Sequence, residues 1–314
     1  MNKISRICGV AVVMFVCAIR LDAQSPVIKL DSLSIWNASR IALQYNPQIR
    51  AARSGIEFSE GGLRLNRSNY YPNISANASA QRTEGAFVLN PAISAREQKY
   101  NSYSAGITLN QLIYDFGKTA GRVSSSESLL EASSYDYKAS QENVLVNVQT
   151  NYFSYLQAQF ILKVNEETVK QAEEHLKVAR AFFNAGTRPE YDVTKAEVDL
   201  ANANVTVIRS RNAVQIAKLQ LDNSMGIQTS DDYTLVDSFR ISPNKINLDS
   251  ARIIAFENRS ELKSLNLRLA SNESLVSAAW DNNLPTLSAS GSYNWNGFDL
   301  PLASRWVFGL NFSL

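Results

Sequence analysis

From about Lys118 to Asn184 the chain runs without a proline, and Val148, Tyr155, Leu162, Val169, Leu176 and Phe183 recur every seven residues. Such a seam marks a coiled coil, and at 1.5 Å per residue the helix would be about 100 Å long. After Asn184-Ala185-Gly186-Thr187-Arg188-Pro189 a return helix is predicted to about Met225. Its Val193, Leu200, Val207, Val214 and Leu221 are also seven apart, with Ala196, Ala203 and Ala217 between them, small enough to let two helices approach closely. The turn has a physical logic: Gly186 can end a helix in a left-handed conformation, Thr187 can cap the next helix, and Pro189 suits its first turn. The return helix is about half as long as the outgoing one. Beyond the breakers of Gly226 to Pro243, a further helix from about Leu248 to Asp281 supplies roughly the missing 50 Å.

A constant shift of 213 residues superposes Leu33–Ala80 on Ile246–Tyr293 without a gap. Matched identities include Ala38 with Ala251, Ile41 with Ile254, Ala42 with Ala255, Glu60 with Glu273, Pro72 with Pro285, Ser75 with Ser288, Ala76 with Ala289 and Ser79 with Ser292. The identity is low, but the order of elements repeats: each copy begins with an amphipathic helix and passes through a proline into an alternating strand. The chain therefore reads as a tandem duplication.

The strands alternate with period two. After Pro285, Leu287, Ala289, Gly291, Tyr293 and Trp295 share one face, and Ser288, Ser290, Ser292, Asn294 and Asn296 the other. In the first copy Ile74, Ala76, Ala78 and Ala80 oppose Ser75, Asn77, Ser79 and Gln81. Two more strands follow the pattern: Tyr103, Ala105, Ile107 and Leu109 against polar or small neighbours, then Trp306, Phe308, Leu310, Phe312 and Leu314 against Val307, Gly309, Asn311 and Ser313. A soluble sandwich also alternates. Runs of roughly 9 to 11 residues with aromatics on the apolar side fit a lipid-facing wall around a watery lumen. Ile74, Tyr103, Ile107, Leu287, Tyr293, Trp295, Trp306 and Phe308 would then face lipid, and Ser75, Asn77, Ser79, Ser288, Ser290, Ser292 and Asn294 the lumen. Loops are expected at about Arg82 to Asn101 and Gly297 to Ser304, facing outside the cell. Four strands cannot close a barrel, for which about eight is the practical minimum, so the barrel would be shared between subunits.

The N-terminus has the order of a secretory signal: Lys3 and Arg6, an apolar run from Ile7 to Ile19, then Leu21-Asp22-Ala23 before Gln24. About 13 apolar residues fall short of the ~20 that span a bilayer, so cleavage after Ala23 is expected. Met14-Phe15-Val16 before Cys17 lacks the small residue that lipoprotein processing wants. Cys8 and Cys17 leave with the signal, which excludes a disulfide, a thiol nucleophile and a cysteine metal site. Lys3, Arg6, Arg20 and Asp22 leave too, so 31 basic and 29 acidic residues become 28 and 28. Zero net formal charge argues against a nucleic-acid surface. No later stretch is apolar for 18 residues, so a membrane could be crossed only by a closed β-barrel.

Catalytic chemistry finds no foothold. The single histidine, His175, stands between Glu174 and Leu176 on a coiled-coil helix, and Asp115, Gly117, Asp231 and Asp232 lie at turns without a nucleophile, base or metal-ligand spacing nearby. No enzyme activity, cofactor or metal is expected. A soluble periplasmic coiled-coil adaptor or structural protein is the alternative. An adaptor would need lipoyl-like and barrel domains beside its hairpin, where this chain has helix and membrane-type strands.

The run from Phe182 through Asn184-Ala185-Gly186-Thr187-Arg188-Pro189-Glu190-Tyr191-Asp192-Val193 to Ala201, with Leu221-Asp222-Asn223-Ser224-Met225-Gly226, resembles the TolC family of outer-membrane factors. Leu112-Ile113-Tyr114-Asp115-Phe116-Gly117 resembles that family's exit from the second strand, although Gln111 stands where a proline is frequent. The resemblance implies α plus membrane β: a TolC-like long coiled-coil hairpin, joined to the strands of a trimeric 12-stranded outer-membrane β-barrel that extends into the periplasm. It implies a homotrimer, a periplasmic adaptor and an inner-membrane pump as partners, and adaptor docking at Ala185, Gly186, Thr187 and Arg188. The expected organisation is 1–23 signal peptide, 24–230 first repeat (helix, two strands, long hairpin) and 231–314 incomplete second repeat. The second repeat stops inside its second strand, without the exit motif and second hairpin that contribute the family's periplasmic constriction. The expectation is a fragment or truncated product that cannot form a sealed duct by itself.

Overall fold

The computed structural model describes residues 31–87, 96–228, 233–236 and 247–314; the expected signal and the Asp231-Asp232 pair lie outside them. In order come β1 (Ser32–Leu33), α1 (Ile35–Tyr45), α2 (Pro47–Ser68), β2 (Asn73–Phe87), β3 (Arg96–Tyr114), α3 (Lys118–Asn184), α4 (Glu190–Met225), β4 (Thr234–Leu235), α5 (Leu248–Asn258), α6 (Ser260–Asp281), β5 (Thr286–Gly297) and β6 (Ala303–Ser313). The chain forms two compact units, one of Met1–Asn46 with Asn147–Ser238 and one of Pro47–Val146 with Phe239–Leu314; α3 contributes to both.

In the first unit the C-terminal part of α3 runs antiparallel to α4, with Glu166 bonded to Arg211 and Arg180 to Glu197, and α1 lies on α4. The heptad seam is closed where the hairpin begins and opens toward its tip: Val148 and Leu221 are wholly buried, Tyr155 and Leu176 nearly so, and Phe183 is exposed. One seam layer is polar, with Asn165 Nδ2 donating to Ser210 Oγ at 2.6 Å. A polar layer of this kind fixes register at some cost in stability. At the base, β1 and β4 form a parallel pair and the buried Tyr152 hydroxyl lies 3.1 Å from the Leu33 carbonyl and 3.0 Å from that of Val236. Asn46 Nδ2 donates to the Ser224 carbonyl, and Tyr233 Oη donates to Asp222 Oδ1.

The second unit sets α2 and α6 antiparallel to the N-terminal part of α3. Across the α3–α6 seam the residues are small: a Cβ on Gly121 would stand 2.9 Å from Ala278 Cβ and 3.1 Å from the Ser274 carbonyl oxygen, and the buried Ser125 and Ser271 hydroxyls are 2.8 Å apart. Arg268 Nη2 donates to Asp136 Oδ2 at 2.6 Å, and Ser260 Oγ donates to Glu142 Oε1 at 2.9 Å. Overpacking such a contact costs about 1–3 kcal/mol. Gly121→Leu is expected to lower the thermal midpoint, read by circular dichroism, while Gly55→Leu, with open space around it, is expected to leave it nearly unchanged.

Sequence periodicity misplaces several boundaries. The helix expected over Leu248–Asp281 is broken at Arg259, whose extended backbone (φ −62°, ψ 121°) separates α5 from α6. The first copy breaks at the matching place, Asn46, where Pro47 disfavours a helical conformation in the residue before it. Adding 213 to every bound of α1 and α2, and to the start of β2, gives the bounds of α5 and α6 and the start of β5. The break thus recurs without its proline. Part of the loop expected at Arg82 to Asn101 is ladder instead, since β2 and β3 pair from Arg82 with Asn101 out to Phe87 with Arg96. At the hairpin turn Gly186 is left-handed (φ 73°) as expected, but Thr187 does not cap α4. Its N–H and its Oγ1 both donate back to the Phe182 carbonyl, ending α3 in a Schellman motif. Pro189 is the cap residue of α4 rather than its first-turn residue, and makes no side-chain cap.

Candidate functional site

The four long strands form one antiparallel sheet in the order β2-β3-β5-β6. Residues directly opposed in an antiparallel ladder share a face, so the register decides whether four separate alternations agree. They do. Ile74 pairs with Leu109, Ala76 with Ile107 and Ala80 with Tyr103; Ile107 pairs with Tyr293 and Ala105 with Trp295; Tyr293 pairs with Trp306, Gly291 with Phe308 and Leu287 with Phe312. All eight positions expected to face lipid therefore fall on one face. A bulge at Ile113 brings Tyr114 into that row opposite Leu287. This face is uncovered: Ile74 is 68% exposed, Trp306 74%, Phe308 70% and Phe312 71%.

The opposite face collects the seven positions expected in the lumen. Ser75 pairs with Thr108, Asn77 with Gly106 and Ser79 with Ser104; Gly106 pairs with Asn294, Thr108 with Ser292 and Asn110 with Ser290; Ser288 pairs with Asn311. Hydroxyls and amides satisfy one another across the strands, Ser79 with Ser104 at 2.7 Å and Asn311 Nδ2 donating to Ser290 Oγ at 3.0 Å. Gly106 is buried in the middle, under the amide oxygens of Asn294 and Asn77, which a Cβ there would meet at 2.2 and 3.3 Å. Sequence reading missed one member of this face: Arg305 pairs with Asn294 and so stands among the polar residues. Its parity in β6 was legible, two residues before Val307.

The strand-to-helix exit at Tyr114-Asp115-Phe116-Gly117 is a built corner. Phe116 and Gly117 are both left-handed (φ 56° and 111°), and Asp115 Oδ2 accepts from the Thr119 N–H at 2.8 Å, capping α3. Losing such a cap costs about 1 kcal/mol. Asp115→Ala is expected to lower the denaturation midpoint, and Asp115→Asn to recover most of the loss.

Ala185, Gly186, Thr187 and Arg188 form the exposed tip between α3 and α4. Arg188 Nη1 contacts Asp192 Oδ2 at 3.1 Å. His175 is exposed on α3. Lys170, hydrogen-bonded to Glu167 one turn away, holds that carboxyl below its usual range, but the pair is a solvated helix-surface contact. Among the described residues no cluster of His, Cys, Asp or Glu could hold a metal, and no helix is long and apolar enough to cross a membrane.

A long antiparallel hairpin joined to a two-faced sheet whose apolar side is uncovered defines a class, the outer-membrane channel proteins. The outer membrane efflux protein family model matches residues 38–227. The chain belongs to that family, which is one of channels and not of enzymes. Relatives include the outer membrane efflux protein BepC of Brucella suis, 23% identical over 56% of this chain and 37% of its own length, and protein CyaE of Bordetella pertussis, 22% identical over 87% of this chain and 57% of its own. A third is the alkaline protease secretion protein AprF of Pseudomonas aeruginosa, 22% identical over 62% of this chain and 40% of its own length. The chain thus spans about two fifths to three fifths of these relatives. The Campylobacter jejuni CmeC outer membrane channel has the same fold, with a TM-score of 0.76 at 23% identity over 89% of this chain and 61% of that one.

Proposed function

We propose that the chain is one protomer of an outer-membrane exit duct, a passive conduit for efflux or secretion, and that three copies share its barrel. The observation that carries this reading is the sheet, apolar and uncovered on one face, polar on the other, and open at both edges, β2 and β6. An open edge in hydrocarbon leaves backbone groups unsatisfied at several kcal/mol each. Because β2 and β6 run in opposite directions within an all-antiparallel sheet, β6 of one copy can pair antiparallel with β2 of the next. Such a head-to-tail contact closes as a ring. The TolC-like fold favours three copies, and the names of the relatives favour efflux and secretion as the duties served.

The tip Ala185–Arg188 is the proposed docking point for a periplasmic adaptor that joins the duct to an inner-membrane pump. Support comes from its full exposure at the end of the hairpin and from the Schellman motif that holds its backbone in one shape. Since the duct has no energy source of its own, the pump would supply the work.

Membrane fractionation and native mass measurement of the detergent-extracted protein test the reading. An outer-membrane oligomer of three subunits is expected. A monomer in the periplasmic extract would instead establish the soluble coiled-coil alternative. Arg188→Glu is expected to reduce co-purification of the adaptor without changing oligomer yield; unchanged co-purification would return the tip to the status of a plain helix reversal.

A further inference from the structure

We infer that Arg305 gives the barrel lumen a preference for anionic solutes. The inference rests on the exit-duct reading above and concerns which solutes the pore wall favours. Among residues with described side chains in the four long strands, the charged ones are Arg82, Glu84, Lys99 and Arg305. Arg82 and Glu84 share the parity of Ile74, and Lys99 is paired with Glu84 in the ladder and by an ion pair; these three lie on the apolar face beyond its greasy rows. Of these four, Arg305 is the one on the polar face, in the row Asn77–Gly106–Asn294–Arg305.

Among the described side chains no acidic group on that face offsets it. The neighbours are Ser75, Ser79, Ser104, Thr108, Ser290, Ser292 and the amides, and none carries a formal charge. Among the described residues no carboxylate forms an ion pair with Arg305, whose side chain is exposed. Trp306 and Tyr293 pair directly behind it on the apolar face. Arg305 is the third residue of β6, whereas Phe308 is its middle one, so the guanidinium stands toward the β5–β6 loop end of the pore. In the shared barrel this arginine recurs in each copy, and low-dielectric walls focus its field on passing ions; the planar fork of an arginine suits carboxylates, sulfonates and phosphates.

The test uses the full chain in outer-membrane vesicles, with a thiol placed at position 292 by Ser292→Cys. That site is diagonal to Arg305 across the β5–β6 ladder, a separation of about 7–8 Å and inside the ~30 Å screening length of 0.01 M salt. Labelling rates are measured with an anionic sulfonate and a cationic trimethylammonium methanethiosulfonate, each divided by its rate with free cysteine, and the parent chain supplies the background. The anionic reagent is expected to be favoured roughly threefold. The preference should vanish with Arg305→Gln, persist with Arg305→Lys and shrink in high salt. A ratio unmoved by Arg305→Gln overturns the inference. Phe308→Cys separates the two levels: if it is protected from both reagents while the ratio at 292 ignores Arg305, the barrel reading stands and the inference alone falls. If Phe308→Cys reacts as fast as Ser292→Cys, the barrel reading fails and takes the inference with it.

Discussion

Replacing Phe308 by arginine is expected to abolish recovery of the protein from the outer membrane, whereas Asn311→Arg, three residues further along the same strand, is expected to be recovered normally. Phe308 pairs with Gly291 on the uncovered apolar face; Asn311 pairs with Ser288 on the polar one. A lipid-facing arginine costs about 2–4 kcal/mol at the bilayer midplane, while a lumen position tolerates charge. In a closed ring the cost recurs in every copy. In a soluble sheet the difference would vanish, because Phe308, 70% exposed, and Asn311, also exposed, could each become arginine with little effect. The measurement is the fraction of each variant in washed outer membranes at equal expression. Equal recovery of both would sink the lipid-facing assignment.

The faces of the sheet were readable in the sequence because β-strand side chains alternate with period two, and that alternation survives whatever the strands pair with. Register was not readable, since nothing local tells Ile107 to sit opposite Ala76 and Tyr293. Register is what turns four stripes into one wall and brings Arg305 beside Asn294. The lengths of β2 and β3 were hidden for a related reason: Arg82, Glu84 and Lys99 interrupt the apolar pattern, and only the cross-strand pairing shows that the ladder continues through them.

The helices divide in the same way. The heptads of α3 and α4 predict a hairpin, and the Gly186 turn follows from local sequence. The break at Arg259 does not, because Ser260 gives no proline-like signal; it shows in the structure, where Ser260 is buried and bonded to Glu142. At the tip, Thr187 had two feasible acts, capping forward or closing backward. The left-handed Gly186 carries the Thr187 N–H onto the Phe182 carbonyl and so settles it in favour of closing α3.

Tyr152→Ala is expected to be the most damaging single substitution in the hairpin base. The side chain is 1% exposed and its hydroxyl reaches the carbonyls of Leu33 and Val236, the residues that end β1 and follow β4. One ring thus fills the space over α3 and ties α3 to the parallel strand pair. Truncating a buried aromatic to alanine costs about 3–5 kcal/mol, a large share of the ~5–15 kcal/mol that holds a typical domain. Tyr152→Phe keeps the ring and leaves a carbonyl without its donor, for which about 1–3 kcal/mol is lost. Protease-resistance midpoints in denaturant should therefore fall in the order parent, Tyr152→Phe, Tyr152→Ala. Ring packing and the hydroxyl tie then separate by size: if Tyr152→Phe is as damaging as Tyr152→Ala, the strand pair is held mainly by the hydroxyl, and if it matches the parent, packing alone holds it.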